Sequence, residues 1–300
     1  MQNIKSVLTT SIIIVSLIIP LIGICLLYDP NIKFEITNYI ISITIFTIYQ
    51  SFLSALISLI IGSIFAYYLK KNSEVGIIKL IVNLLSILFV MPTIIIVLGM
   101  LTFFNSFTNI YGPFGIVFCH VILNLPLATR IIYQSLNDIS GNEYILAKQM
   151  GLKKFETFLA TEWQIIKKNA PSLFALIFFI CFVSFTPVLI LGGSPKYSTI
   201  EVSIYQSVVF LNNYNTAFYL LIMQLLICSI IFFLTFKNFK SENFFLDDRK
   251  IHIKNQITFR NKLTDYSVII FISFTLFISP IAIFFRGINL KFFEVFSSNY

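Results

Sequence analysis

The chain has 300 residues, of which 57% are hydrophobic and only 11% charged. A soluble domain carries about 25% charged residues, so a chain this apolar cannot cover itself in water, and disordered or collagen-like states need opposite compositions. The net charge of +8 does not point to nucleic acid, because the Lys and Arg residues stand in short clusters between apolar runs, as they do in membrane proteins.

A helix that spans a bilayer needs about 20 mostly apolar residues. Seven runs meet that need. The first is Leu8 to Tyr28, too long for a cleavable leader and followed by no small-residue cleavage site. The second lies within Asn38 to Leu69, the third is Ile77 to Phe104, and the fourth is Phe114 to Tyr133. Ser172 to Leu191, Ala217 to Thr235 and Tyr266 to Phe285 complete the set. The expected fold class is an all-α, polytopic membrane bundle.

With the N-terminus inside, 17 of the 21 Lys and Arg residues fall on the cytoplasmic side, and only Lys33, Lys196, Arg286 and Lys291 fall opposite. That asymmetry sets the expected topology. The expected organisation is a six-helix core over 1–237 with a long cytoplasmic loop at 138–171, a polar linker at 238–264, and a membrane segment at 265–300. The last segment, with mid-run Pro280, echoes the first, with Pro20, which suggests the start of a second repeat.

The long loop is unusual for a connector. Glu143 to Met150 reads as a short helix with Asn142 as N-cap, ended by Gly151. A second helix, Lys153 to about Lys168, carries Phe155, Phe158, Leu159, Trp163 and Ile166 at helical spacing. The unit is a compact helix–Gly–helix knob whose apolar stripe needs a membrane surface or a partner protein.

This stretch resembles the coupling loop of ABC-transporter permeases, whose pattern is E-A-A-x-x-x-G, about nine residues, then I-x-L-P. Ala147 fills the second Ala place and Gly151 the Gly place. Ile145 stands at the Glu position, with Glu143 two residues earlier, and Gln164 replaces the closing proline. Upstream, His120, Asn124, Leu125, Pro126 and Arg130 match a second stretch of the family, and downstream Leu191 to Lys196, Thr199, Glu201 and Tyr205 match the end of its core.

The resemblance implies a permease subunit of a binding-protein-dependent ABC importer in a bacterial inner membrane, most similar to the thiamine permeases and next to the iron(III) permeases. It implies coupling to a separate ATPase subunit through Glu143, Ala147, Gly151, Leu152, Phe155, Glu162 and Trp163. It implies a candidate translocation path at His120, Asn124 and Pro126, and candidate docking of an external binding protein at Lys196 and Glu201. A second permease half, or a second copy, would complete the path. No cofactor or metal site is expected on this chain, and ATP with its magnesium would sit on the partner, since no phosphate-cradling G-x-x-x-x-G-K-[ST] loop is present. Three competing readings are a truncated, non-functional remnant of a longer permease, a secondary transporter or channel, and a membrane-embedded enzyme. The last two are weakened because no run holds a central Asp or Glu and only two His residues exist.

Overall fold

The structure is a computed structural model that describes residue 23 and residues 37–104, 109–236 and 259–289. The expected first span, Leu8 to Tyr28, and most of the expected linker lie outside the described residues.

Helix α1 runs over Asn38–Lys71. Thr37 caps it by accepting from the Ile40 N–H. Its outer face is largely apolar, but its 34 residues carry an inward stripe of Thr47, Gln50, Ser51, Ser54 and Ser58, all fully buried. Helices α2 (Gly76–Val90) and α3 (Thr93–Phe104) replace the single third span expected from hydropathy. They meet at Met91 and Pro92 with a bend of 104°. Proline supplies no backbone donor, and it pushes the preceding residue out of the helical region; Met91 accordingly sits extended, at ψ 138°.

Helix α4 (Pro113–Asn137) is the most enclosed of the long helices. It packs mainly on α1. The short helices α5 (Gly141–Gln149) and α6 (Lys154–Ala160) form the knob. Helix α7 (Glu162–Phe182) follows α6 after a break at Thr161. The second knob helix is therefore interrupted, and its continuation is the next membrane span. That span ends at Phe182, earlier than expected, and the chain re-enters as helix α8 (Thr186–Leu191), which carries Pro187 in its first turn.

Beyond Gly192 and Gly193 the expected loop holds a further helix, α9 (Ile200–Val209), too short to cross a membrane. Helix α10 (Tyr214–Phe236) and helix α11 (Phe259–Asn289) complete the described chain. Among the described residues, five helices are long and apolar enough to span a bilayer, or six if the bent α2–α3 pair is one span. The fold is an all-α polytopic membrane bundle.

Two apolar clusters make the core. One gathers Phe65, Leu69, Ile116, Leu125 and Met100 with Ile269, Ile272 and Leu276 of α11. The other gathers Ala66, Ile132, Leu173, Ile177 and Phe182 between α1, α4 and α7. Helix α11 does not stand apart: it crosses α3 in close contact. At the crossing the Ser279 hydroxyl donates to the Ile96 carbonyl at 2.6 Å. A Cβ on Gly99 would lie 2.0 Å from the Ser279 carbonyl oxygen. Small residues that let backbones meet are the usual basis of helix association in lipid.

Candidate functional site

The knob is built by its own turn chemistry. Ser140, not Asn142, is the N-cap of α5; its hydroxyl accepts from the Asn142 N–H at 3.3 Å. Both residue types can cap, and the choice falls one turn-start earlier because Gly141 and Asn142 already have helical backbone. At the other end Gly151 adopts φ +70°. The Leu152 N–H reaches the Ala147 carbonyl and the Gly151 N–H reaches the Lys148 carbonyl, both at 3.1 Å. This pair of bonds is the Schellman closure, which favours glycine at its left-handed position. The next helix, α6, starts with the Glu156 carboxylate accepting from the Lys153 N–H at 2.7 Å.

The resulting surface is apolar where it faces outward. Leu146, Met150 and Phe155 are 57%, 75% and 70% exposed, and Ile145, Leu159 and Trp163 are exposed as well. Glu143 and Gly151 share that outer surface, and Leu152 is half-buried. Ala147 is buried and packs the knob rather than presenting itself. Phe158 turns back onto the bundle, edge-to-face with Tyr67 at 5.2 Å, and Trp163 lies 6.5 Å from Phe158.

Glu162 also turns inward. One carboxylate oxygen accepts from the Tyr144 hydroxyl at 2.9 Å, and the other accepts from the Thr161 hydroxyl. Burial first, and the Glu162 carboxylate next, push the Tyr144 phenol above its ordinary range, so it remains protonated and able to donate. Lys70, at the end of α1, donates to the Tyr144 oxygen at 2.9 Å and to the Leu136 carbonyl of α4. Neither Lys70 nor Tyr144 stood out in the sequence. The only cue was a basic pair at a helix end and one aromatic in a nine-residue helix.

The candidate path residues lie together deep in the bundle. His120 and Asn124 are one turn apart on α4, almost fully buried, and Pro126 is buried beside them. The Asn124 amide donates to the His120 carbonyl at 2.8 Å and to the Cys181 sulfur at 3.3 Å. Gln50 of α1 donates to the Cys181 carbonyl at 3.1 Å. The Gln50 amide thus bonds a carbonyl at the end of α7, where the last carbonyls lack helical partners, while Asn124 bonds the Cys181 side chain. The two His120 ring nitrogens have no protein partner among the described residues.

At the opposite end Lys196 is exposed, with its ammonium 5.2 Å over the Tyr197 ring. Glu201 does not join it. Its carboxylate accepts from Gln224 at 2.8 Å and ties α9 to α10. Helix α9 is held to α1 as well, because the Thr47 hydroxyl accepts the Ile200 N–H at 3.0 Å.

No family model matches the sequence. The thiamine transport system permease protein ThiP of Haemophilus influenzae is 32% identical over 213 residues, which is 66% of this chain and 39% of that protein. ThiP of Escherichia coli is 32% identical over 207 residues, 64% of this chain and 38% of that protein. ThiP of Brucella abortus is 30% identical over 198 residues, 61% of this chain and 36% of that protein. Among solved structures, a chain of the MetNI methionine ABC transporter, described as inward facing, superimposes with a TM-score of 0.54 at 11% identity. The superposition covers 67% of this chain and 97% of the other.

In sequence this chain is similar to the ThiP transport permeases, and in fold to a chain of an ABC transporter. It spans about two fifths of the length of the ThiP relatives it matches. The relatives it matches in sequence are transport permeases rather than enzymes.

Proposed function

We propose that this chain is a membrane-spanning permease subunit of an ATP-driven importer in a bacterial inner membrane, with its N-terminus in the cytoplasm. The knob docks into a separate ATPase subunit, which binds ATP and magnesium. Movement of the docked knob switches the bundle between inward and outward access. A second half or a second copy completes the path, and a substrate-binding protein delivers cargo at the end that carries Lys196. The cargo is thiamine or a phosphate of thiamine, a reading supported by the names of the sequence relatives.

One observation carries the reading. The helix–Gly–helix unit projects from one end of the bundle and leaves Leu146, Met150 and Phe155 uncovered on a rigid support. Contiguous apolar surface rimmed by charge, here Lys148, Lys153 and Lys154, marks an interaction site. The knob's apolar groups would contribute most at the centre of such an interface, where water is excluded.

The test is capture of the ATPase subunit on the tagged chain from detergent-solubilised membranes, with ATP hydrolysis and thiamine uptake measured after reconstitution. Capture of an ATPase by the parent, weakened at least tenfold by Gly151→Val, is expected. Equal capture by parent and variant would remove the coupling role of the knob. Capture without thiamine uptake would leave the permease reading and discard the cargo.

A further inference from the structure

One polar chain ties the knob to three membrane helices. Lys70 lies in the last turn of α1 and donates both to the Leu136 carbonyl, in the last turn of α4, and to the Tyr144 hydroxyl of α5. Its ammonium also lies 5.2 Å above the Tyr144 ring. The same hydroxyl donates to Glu162, the first residue of α7. The Glu162 carboxylate therefore sits at the positive end of the α7 dipole, where a negative charge is favoured. Each group in the chain has a defined role: Lys70 only donates, Glu162 only accepts, and Tyr144 does both.

We propose that Tyr144 is a positioning residue, the joint through which displacement of the knob reaches α1, α4 and α7 together. The proposal rests on the coupling reading of the knob. Apolar contacts are non-directional and allow helices to slide. A charge-assisted hydrogen-bond chain has fixed geometry and is stronger than neutral bonds, so it transmits displacement instead of absorbing it. The outer face of the knob does not use these three side chains: Tyr144 and Glu162 are half-buried and bonded inward. Attachment of the ATPase and transmission of its movement are thus separable.

The experiment uses the full chain in complex with its ATPase, with the native cysteines replaced and spin labels at Ile60 of α1 and Leu226 of α10, both exposed. Distances are compared without nucleotide and after trapping with ATP and vanadate. The parent is expected to shift on trapping. Tyr144→Phe keeps the ring and is expected to keep ATPase capture, while the shifted population falls at least about tenfold, the effect of losing the charge-assisted hydrogen bonds to Lys70 and Glu162. An undiminished shift in Tyr144→Phe would overturn the proposal. If that variant does not assemble, Glu162→Gln and Glu162→Leu decide. The former keeps an acceptor for the phenol and is expected to retain more of the shift; equal behaviour overturns the joint. A parent that captures no ATPase or shows no shift overturns the coupling reading and the joint with it.

Discussion

At Gly151 a single Cβ decides the path of the chain. The space around it is open, so bulk meets nothing, but φ +70° strains every L-residue with a side chain. The left-handed conformation costs about 1–2 kcal/mol for most residues and less for Asn, whose side chain can bond locally. Capture of the ATPase is therefore expected to rank Gly above Asn above the smaller Ala at this position, measured by titration with the isolated subunit. A ranking that follows side-chain volume alone would remove the backbone argument. This site was legible in the sequence, because a glycine after a short helical run signals its end through a local rule. Glu162 was not. Its inward turn depends on Tyr144, 18 residues away, and on Lys70 behind it, and no local rule relates these positions.

Among elements, the long spans were read correctly wherever apolar length alone determines them, as in α1, α4 and α10. The failures were at breaks. A proline such as Pro92 disfavours helix at the residue before it, yet the 104° turn between α2 and α3 depends on what α3 then packs against. Helix α9 was missed because ten residues between two spans resemble a loop when only bilayer length is counted. Its anchor, Thr47, lies 153 residues away. The α3–α11 crossing makes a sharper test. Gly99→Ala places a methyl against main-chain atoms of Ser279 that cannot rotate aside, and overpacking of this kind costs about 1–3 kcal/mol. Thermal unfolding in detergent should show a Tm lower by several degrees. An unchanged Tm would mean that the two helices part without cost.

On the scale of the whole molecule, the bundle is polarised. The knob, the Lys70–Tyr144–Glu162 chain and the Lys71–Asp265 ion pair, at 2.8 Å, gather at one end. Lys196 and α9 occupy the other. Basic residues prefer the cytoplasmic side, which predicts that the knob faces the cytoplasm. On a cysteine-free background, a membrane-impermeant maleimide added to spheroplasts should label Lys196→Cys and spare Lys153→Cys until the cells are opened. The reverse pattern would invert the topology and exclude a cytoplasmic ATPase as the partner of the knob. Hydropathy and charge made this polarity legible. The packing of α11 onto α3 was not, since an echo of the first run says nothing of which helix a segment will touch.

The chain contains one tryptophan, and Trp163 stands in the first turn of α7 beside the knob, 43% exposed and next to Phe158. The protein thus carries a built-in optical probe at the surface assigned to docking. Indole emission moves to shorter wavelength as water leaves the ring, so burial of the knob should register as a blue shift with no added label. With an ATPase subunit whose own tryptophans are replaced by phenylalanine, the shift should saturate with subunit concentration and reverse on dissociation. Emission that does not change while the two proteins co-elute would place the contact elsewhere on the chain.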